Sequence, residues 1–362
     1  MEYPLIYDDQ LIIGVKSDDG YSLKYESNDD VKLNLEIFNQ KKTIVIDSSN
    51  SGTGRLKRDI YNPILKVLLE KYNVQHDYHY TESADSISQI ARNLPSGNLL
   101  VLIISGDTSV NEFLNSLSGE GGELTIVNIP FGTGNSLALS LEDNELTAIA
   151  KLFTSTPVHE FNLYDISLPP NCWELKQSAR VKQMPTSYKF IVVFSWGFHA
   201  SLVADSDTPE LRKFGLERFK MAAMKNLQSP HQYPGSTFID KEEYGGPYNY
   251  WLITPSRKFE PTFEISPDGS IFDDSLFLIS FGVSVDTMSV MQQVYDKGNH
   301  IKNPDVIYNK VQNQEIILKF ENLPSDVRRF CIDGLIIEVP PSGEIKLKST
   351  GNTINNWNIF IM

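Results

Sequence analysis

The feature that most constrains the fold of this chain is an alternation of short apolar runs and helix-like stretches between residues 43 and 140. Apolar runs at 43–47, 99–104 and 124–129 are each followed by a polar or glycine-bearing loop, and then by a stretch with helical spacing. Strands that alternate with helices in this way predict βαβ units and a parallel sheet. All three loops then lie at the carboxyl ends of the strands, where such sheets bind their ligands.

Different patterns flank this segment. Residues 1–40 predict a small β extension, with strands at 11–15 and 31–35. From about His159 onward, apolar runs separated by Pro, Gly and Asp predict a mainly β region that is interrupted by one helical stretch at about 209–225. The predicted organisation is a β extension at 1–40, an α/β domain at 41–158 and a mainly β, sandwich-like domain at 159–362, whose last strand is a candidate to return to the first domain.

Composition and charge limit the classes of partner. The 362 residues carry a net charge of −14, which argues against nucleic acid or an anionic membrane as the partner of the whole surface. Two cysteines, Cys172 and Cys331, exclude a disulfide scaffold and a Cys-rich zinc module, and they suit a reducing compartment. The longest apolar run is far shorter than the ~20 residues that span a bilayer, and the N-terminus shows no secretory pattern. We therefore expect a cytoplasmic protein.

The sharpest local motif is the loop at 130–135, which contains Gly132, Thr133, Gly134 and Asn135. Glycines on both sides of a hydroxyl let the backbone approach a ligand closely, with N–H groups available for phosphate oxygens. Taken alone, a loop of this kind is more often an ordinary turn.

The other two loops carry acidic and hydroxyl side chains. Asp107, in the loop at 105–112, follows a buried strand, a position that suits a general base or a metal ligand. Asp is equally common as a helix N-cap. The loop at 48–55 combines hydroxyls, glycines and Arg55, which suit phosphate contacts or a simple polar turn. Three such loops at one sheet edge are a stronger signal for a ligand site than any one of them.

Taken together, these motifs resemble those of the diacylglycerol kinase catalytic-domain superfamily, which includes sphingosine and ceramide kinases. Residues 130–135 resemble its P-x-G-T-G-N loop, residues 105–107 resemble its S-G-D-G stretch, and residues 48–54 stand where it has N-P-x-S-G-x-G. In the second domain, the segment at 195–219 resembles the sphingosine and ceramide kinase branch, and later Asp-Gly pairs follow in family order.

The resemblance, which covers roughly residues 43–348, implies an ATP-dependent kinase that phosphorylates a lipid hydroxyl with Mg²⁺ as cofactor. It puts a sphingoid base first as the acceptor, and ceramide or diacylglycerol next. Phosphoryl transfer depends on positioning and on charge neutralisation, which explains the need for cations and backbone donors. By this resemblance Asp107 is the catalytic carboxylate, Asp205 lies near the lipid headgroup, and no metal ligands are assigned. The implied nucleotide-binding residues are Asn50, Ser51, Gly52, Thr81, Ser105, Gly106, Gly132, Thr133, Gly134, Asn135, Arg212, Arg218, Asp333 and Gly334.

Three departures from the family pattern leave two interpretations open. The family's Gly-Thr after the central Asp is Thr108-Ser109 here, and its Asn-Pro is Ser48-Ser49. The Glu that follows Asp-Gly in the family is Leu335, which can neither accept a proton nor bind Mg²⁺. The chain is therefore either a divergent active lipid kinase or a catalytically impaired pseudokinase that binds nucleotide or lipid. NAD kinases share the general motifs, but the second domain resembles the lipid branch instead.

A lipid acceptor requires access to a membrane without a membrane span. We expect an enzyme that makes reversible peripheral contact through exposed apolar side chains, with 221–224 and the nearby lysines as a candidate segment. An ordinary helix face explains this segment equally well. Against the acidic background, Arg212, Arg218 and Arg55 would form a small cationic site for the phosphates of ATP. The sequence predicts no oligomeric state.

Overall fold

The computed structural model describes residues 1–48, 59–83, 85–154, 156–228 and 231–362. The chain divides into two compact units: residues 1–161 and 352–362 form the first, and residues 162–351 form the second. Residues 1–40 thus share one unit with the predicted α/β segment. In the described part of the chain, no helix is long and apolar enough to cross a bilayer.

The first unit begins with a three-stranded antiparallel sheet and continues with strands that alternate with helices. Its strands are β1 (Glu2–Tyr7), β2 (Gln10–Ser17), β3 (Gly20–Ser27), β4 (Lys42–Asp47), β5 (His76–Tyr80), β6 (Leu99–Ser105), β7 (Gly122–Pro130) and β8 (His159–Glu160). Its helices are α1 (Lys66–Lys71), which continues a π-helical turn at Tyr61–Leu65, α2 (Ser86–Arg92), α3 (Asp107–Asn115), α4 (Ser136–Ser140) and α5 (Glu145–Lys151).

Buried apolar and polar contacts attach the small N-terminal sheet to the rest of the first unit. Ile6 and Ile12 are fully buried, in the same core cluster as residues of the later strands and helices. The Tyr21 hydroxyl donates to the carboxylate of Glu145 on α5 over 2.7 Å, and Lys16 pairs with the same carboxylate. Burial alone would raise the pKa of Glu145, but these two contacts hold that pKa below its usual value.

The prediction of a strand at 31–35 is wrong. The segment is irregular and leads into a 3₁₀ turn at Glu36–Phe38. Its alternating residues Leu33 and Leu35 do pack against the core of the first unit. The Asn34 side chain accepts the first N–H group of the turn over 2.7 Å. An alternating pattern reports which side chains are buried, and here an irregular segment satisfies it without strand pairing.

The second unit consists mainly of two antiparallel sheets. Its strands are β9 (Tyr164–Ser167), β10 (Trp173–Lys176), β11 (Ala179–Gln183), β12 (Ser187–Phe190), β13 (Phe194–Gly197), β14 (Ser236–Ile239), β15 (Glu242–Gly245), β16 (Tyr248–Thr254), β17 (Leu276–Gly282), β18 (Ile307–Val311), β19 (Ile316–Phe320), β20 (Arg329–Ile332), β21 (Leu335–Glu338) and β22 (Gly343–Ser349). Its helices are α6 (Phe198–Ser206), α7 (Pro209–Arg212), α8 (Glu217–Gln228) and α9 (Thr287–Tyr295). The eight-stranded sheet has the order β11-β10-β21-β20-β13-β16-β17-β18, and the six-stranded sheet has the order β12-β9-β22-β19-β14-β15.

Side chains from both sheets of the second unit share one aromatic core. Trp196 stacks on Phe330 with ring centroids 5.0 Å apart, and Phe194 meets Trp251 edge to face at 5.7 Å. The indole N–H of Trp196 donates to the carbonyl of Val327 over 2.6 Å, so its one polar atom is satisfied inside the core. Trp196 is therefore a core residue of this unit.

The helical stretch predicted at 209–225 is divided into two helices. Helix α7 ends at Arg212 and α8 begins at Glu217. Between them Gly215 has a φ of 54°, a left-handed conformation that glycine adopts without steric cost. The break turns one predicted helix into two short ones.

The parallel sheet of the first unit is completed by strands from the far end of the chain. These are β23 (Thr353–Ile354) and β24 (Trp357–Ile361), and the sheet order is β23-β24-β7-β6-β4-β5. Strands β24, β7, β6, β4 and β5 run parallel, and every residue of β6 is buried. The register aligns the carboxyl ends of β4, β6 and β7, so the loops that follow these strands leave the sheet at one edge.

Candidate active site

Two glycine-bearing loops meet at the carboxyl edge of the parallel sheet. Ser105, at the end of β6, lies opposite Pro130, at the end of β7, and the Phe131 N–H donates to the Ser105 carbonyl over 2.8 Å. A Cβ atom on Gly106 would lie 2.8 Å from the Cα of Gly132, and a Cβ atom on Gly132 would lie 2.5 Å from the Cα of Gly106. The two backbones can approach this closely only because both residues lack a side chain.

The side chain of Asn135 closes the second loop. Its Oδ1 accepts the N–H of Gly132 and its Nδ2 donates to the carbonyl of the same residue, both over 2.9 Å. Gly134 is exposed, and a Cβ atom there would meet nothing within 4 Å. Asn135 thus holds the shape of the loop, while Thr133 and Gly134 form its more accessible side.

Asp107 joins these two loops. Its carboxylate accepts the N–H of Ser136 over 2.7 Å and that of Leu137 over 3.3 Å, and these residues form the first turn of α4. A negative charge at a helix N-terminus is favourable, and here the residue is only 9% exposed. Sequence reasoning considered Asp107 as a cap for its own helix. The structure shows instead that it caps the helix that follows β7.

The departure at Thr108 causes no backbone strain. The residue lies exposed in the first turn of α3 and is not among the described residues with positive φ. A side chain at this position therefore needs no unusual backbone conformation.

The third predicted loop can be followed only in part. Ser48 is buried, and its N–H donates to the carbonyl of Ile104 over 3.1 Å. The predicted nucleotide-binding residues Asn50, Ser51 and Gly52, together with Arg55, lie outside the described residues.

Thr81 lies at the same sheet edge as the glycine loops. It follows β5, is 3% exposed, and donates its N–H to the carbonyl of Asp47 over 3.0 Å. Sequence reasoning overlooked Asp47, which ends β4 with a buried carboxylate that accepts the Tyr78 hydroxyl over 3.2 Å. Burial and the nearby Asp47 charge raise the pKa of Tyr78. The available signal was an acidic residue that ends a buried strand, the same signal that singled out Asp107.

In the second unit, one carboxylate holds the two predicted arginines. Asp207 accepts bonds from Nε and Nη2 of Arg212 over 2.8 and 3.0 Å, and it lies 3.5 Å from Nη1 of Arg218. The bond to Asp207 raises the pKa of Arg212, whereas burial lowers the pKa of Arg218. Arg218 also lies over the ring of Phe219, 4.8 Å from its centroid. The structure therefore brings these arginines together, through an acidic residue that sequence reasoning did not select.

Asp205, the predicted headgroup residue, is held by two polar neighbours. Its carboxylate accepts Nη1 of Arg329 over 2.6 Å and Nδ2 of Asn226 over 3.0 Å. These bonds connect α6 to β20 and α8, so Asp205 has a structural role whether or not a lipid also contacts it.

Asp333 and Gly334 form the two-residue turn between β20 and β21. Their φ angles of 47° and 89° are left-handed at both positions, as in the type I′ hairpins that Asp-Gly favours. The buried carboxylate of Asp333 accepts three consecutive backbone N–H groups, from Ile191, Val192 and Val193, over 2.7, 2.8 and 2.7 Å. The geometry gives this carboxylate a structural task inside the second unit.

Leu335, the most serious departure from the family pattern, is a packing residue. It is the first residue of β21 and lies against the aromatic core of the second unit. The carboxylate nearest along the strand, Glu338, accepts Nε of Arg180 over 2.7 Å and lies 3.5 Å from Nη2 of Arg328. The bond to Arg180 lowers the pKa of Glu338, so this carboxylate is engaged in a surface ion-pair network.

The described residues contain no cluster of three or more His, Cys, Asp or Glu side chains that could hold a metal ion. A Mg²⁺ ion in a phosphoryl-transfer site is commonly held by one or two carboxylates together with the phosphates of the nucleotide. The donors on the protein side are thus few in number, and Asp107 at the edge of the glycine loops is of the required type.

Comparison with known proteins agrees with this arrangement. Residues 42–165 match the model of the diacylglycerol kinase catalytic domain. The chain is 21% identical over 292 residues to a diacylglycerol kinase of Staphylococcus carnosus, which covers 80% of this chain and 88% of the relative. It is 22% identical over 302 residues to a candidate lipid kinase of Streptococcus pneumoniae. This alignment covers 83% of this chain and 94% of the relative.

A solved structure shares the fold of the chain. The crystal structure of a candidate diacylglycerol kinase of Bacillus anthracis superposes with a TM-score of 0.61 at 14% identity, which covers 89% of this chain and 94% of that one. The predicted fold class, an α/β domain with a parallel sheet plus a mainly β domain, is confirmed. The matches indicate a lipid kinase, which is a phosphotransferase. The sphingosine and ceramide kinase branch stays a prediction.

Proposed function

We propose that this chain transfers the γ-phosphoryl group of ATP to the hydroxyl of a membrane lipid. The observation that carries the proposal is the contact between Gly106 and Gly132 at the carboxyl edge of the parallel sheet, with Asp107 joining the two loops. Backbone N–H groups in such loops suit phosphate oxygens, and phosphoryl transfer relies on positioning and charge neutralisation more than on covalent chemistry.

The reaction would use few groups of the protein. The oxygen of the lipid hydroxyl attacks the γ-phosphorus, the bond from that phosphorus to the bridging oxygen of ADP breaks, and the hydroxyl proton passes to a carboxylate. We assign this last task to Asp107, as the family resemblance implies. When bound, Mg²⁺ would neutralise charge on the phosphates. The assignment of Arg212 and Arg218 to those phosphates, and of Asp333 and Gly334 to the nucleotide, stays a prediction.

Two lipid classes are candidates for the acceptor. The family resemblance favours a sphingoid base, whereas the name of the Staphylococcus carnosus relative supports diacylglycerol.

The α7–α8 region supports peripheral membrane contact, because four large apolar side chains there are 46–54% exposed beside lysines. These side chains are Phe214, Leu216, Met221 and Met224.

One observation favours the alternative, a catalytically impaired nucleotide- or lipid-binding protein. Leu335 stands where the family has a Glu, and it packs against the core. A carboxylate is therefore absent at the position where the family supplies one.

The deciding experiment is Mg²⁺-dependent ATP turnover with vesicles that contain sphingosine, ceramide or diacylglycerol. An active kinase phosphorylates at least one of them, and Asp107→Asn abolishes turnover while the thermal unfolding curve stays cooperative. Because Asp107 also caps α4, Thr133→Ala serves as a second variant, which changes the accessible side of the loop without touching that cap. If no lipid is phosphorylated and Leu335→Glu creates activity in a folded protein, the alternative of a catalytically impaired protein is correct.

A further inference from the structure

The three-stranded sheet at the N-terminus lies outside the segment that matches the family model. That model matches residues 42–165, whereas β1, β2 and β3 all precede residue 42. Strand β3 packs against the π-helical turn at Tyr61–Leu65, which follows the first loop, and β1 packs against α5, which follows the third loop and α4. The N-terminal sheet therefore contacts elements that continue from two of the three loops at the edge of the parallel sheet.

Tyr21 of β3 reaches the loop at 130–135 directly. Its ring centroid lies 6.0 Å from that of Phe131, at an interplanar angle of 47°. Phe131 directly precedes Gly132 and is 1% exposed. Its N–H donates to the carbonyl of Ser105 over 2.8 Å. Phe131 is thus held at its backbone by the end of β6 and contacted at its ring by β3.

The hydroxyl of Tyr21 is fixed on the helix that follows the loop. It donates to a carboxylate oxygen of Glu145 over 2.7 Å, and Lys16 pairs with the same oxygen. Glu145 is 7% exposed and lies in the first turn of α5. Hydrogen bonds to a charged, buried acceptor are among the stronger ones in proteins. Tyr21 therefore connects α5 to the residue that begins the glycine loop.

The ring of Phe131 is the part of this loop that lies in the core. Residues 132–135 are half-buried or exposed. Asn135 bonds both to the N–H and to the carbonyl of Gly132, so the loop is closed on itself. Such a closure preserves the shape of the loop but does not fix its orientation. We expect that orientation to depend on how firmly the Phe131 ring is held.

We propose that Tyr21 is a positioning residue for the loop at 130–135, which makes the N-terminal sheet a functional part of the nucleotide site. The inference rests on the proposed function, in which this loop binds the phosphates of ATP. Tyr21 acts through Phe131, whose ring it restrains. A loop that is already held in its binding conformation loses less conformational freedom when the ligand arrives, so it binds more tightly.

Tyr72 provides a matched control, because it attaches the same sheet at another point. Its hydroxyl donates to the carboxylate of Asp8, between β1 and β2, over 2.9 Å. Its ring centroid lies 5.6 Å from that of Phe153. Tyr72 thus combines a ring contact with a bond to a carboxylate, as Tyr21 does, but neither of these two partners belongs to a loop at the sheet edge. Truncation of Tyr72 loosens the sheet without removing the ring beside Phe131.

Amide hydrogen exchange of the full chain without nucleotide is the first measurement, since it does not depend on catalysis. Tyr21→Ala should speed exchange of residues 131–137 about 3- to 10-fold, the ratio that one aromatic pair is usually worth, and leave β6 unchanged. Tyr72→Ala should lower the unfolding temperature but leave residues 131–137 as in wild type. Tyr21→Phe keeps the ring and should stay within about 2-fold of wild type.

Calorimetry with ADP and Mg²⁺ is the second measurement. Tyr21→Ala should weaken ADP binding about 3- to 10-fold, because the loop must then be ordered at the expense of binding. Tyr72→Ala and Tyr21→Phe should bind ADP as wild type does. If Tyr21→Ala does not fold, Tyr21→Leu, which keeps an apolar side chain without the ring, gives the same comparison.

Failure of this inference can be distinguished from failure of the proposed function. Unchanged exchange of residues 131–137 in Tyr21→Ala, an equal increase in Tyr72→Ala, or faster exchange with unchanged ADP binding overturns the role of Tyr21. Phosphorylation of a lipid by wild type would then still support the kinase function. If exchange shows the expected pattern but wild type binds no ADP, Tyr21 positions the loop as inferred and the proposed kinase function is wrong.

Discussion

The carboxylate of Asp333 offers a prediction in which a structural role and a ligand-binding role give opposite results. The family resemblance assigns Asp333 to the nucleotide, whereas the structure uses both its oxygens for the N–H groups of Ile191, Val192 and Val193. Asp333→Asn keeps one oxygen acceptor, removes the charge, and directs an NH₂ group at an N–H donor. We expect this variant to destabilise the second unit.

The expected magnitude follows from the three bonds. A hydrogen bond to a charged group contributes about 1.5–3 kcal/mol, and a buried N–H left unsatisfied costs about 1–3 kcal/mol. In Asp333→Asn two bonds become neutral and the third is replaced by an opposed pair of donors. Since such neighbouring contributions do not add fully, we expect a loss of about 2–4 kcal/mol in the free energy of unfolding.

Urea unfolding followed by tryptophan fluorescence measures this loss in the correct unit. Three of the four tryptophans, Trp173, Trp196 and Trp251, lie in the second unit. With a slope of roughly 2–3 kcal/mol per molar urea, the midpoint should fall by about 1 M. Asp305→Asn, which makes the same change at an exposed position, should shift the midpoint by less than about 0.2 M.

A structural role for Asp333 is refuted if Asp333→Asn leaves the urea midpoint where it was and weakens ADP binding several-fold. That result would mean that the carboxylate is available to the nucleotide and that the three N–H bonds contribute little. If the midpoint falls by the expected amount and the folded variant binds ADP as wild type does, Asp333 is a structural residue of the hairpin.

Two further predictions concern the glycine loops and His199 of α6. Gly132→Ala should weaken ATP binding and cost about 1–3 kcal/mol of stability, because its Cβ would lie 2.5 Å from the Cα of Gly106, whereas Gly134→Ala should leave stability unchanged; calorimetry with ATP and thermal unfolding measure both, and equal behaviour of the two variants would disprove the close approach. The lowered pKa of His199 means that between pH 6.5 and about 4 the unfolded chain binds a proton that the folded chain does not. Stability should therefore fall as the pH falls through this range. Between pH 7 and pH 5 the urea midpoint of His199→Gln should decrease less than that of wild type. An identical decrease in both proteins would contradict the lowered pKa of His199.

The parallel sheet and its loops could be predicted from the sequence because both signals are local. The run at 99–104 is apolar throughout, as expected for a strand that is covered on both faces, and glycines mark the loops after it and after 124–129. The close approach of Gly106 to Gly132 and the capping of α4 by Asp107 could not be predicted. Both depend on the strand register, which no pattern along one strand specifies.

Helix α6 and the acidic residue Asp207 were missed for a different reason. The helix begins directly after β13, and its buried residues include Phe198, Ala200 and Ser201, so its apolar and polar residues form no clear amphipathic pattern. Asp207, just beyond it, is one of 46 acidic residues and has no motif of its own. Asp207 can be recognised only in the structure, where the two arginines lie beside its carboxylate.

The pairing of β24 with β7 has a consequence for the order in which the chain can fold. During synthesis the N-terminal residues emerge first, but β24, which pairs with β7 on the side away from β6, emerges only after all of residues 162–351 have been made. Until then the edge of β7 has unsatisfied N–H and C=O groups and is exposed to pairing with other chains. The second unit, which is continuous in sequence, can fold during this interval. The unit that is translated first is thus the last to be completed.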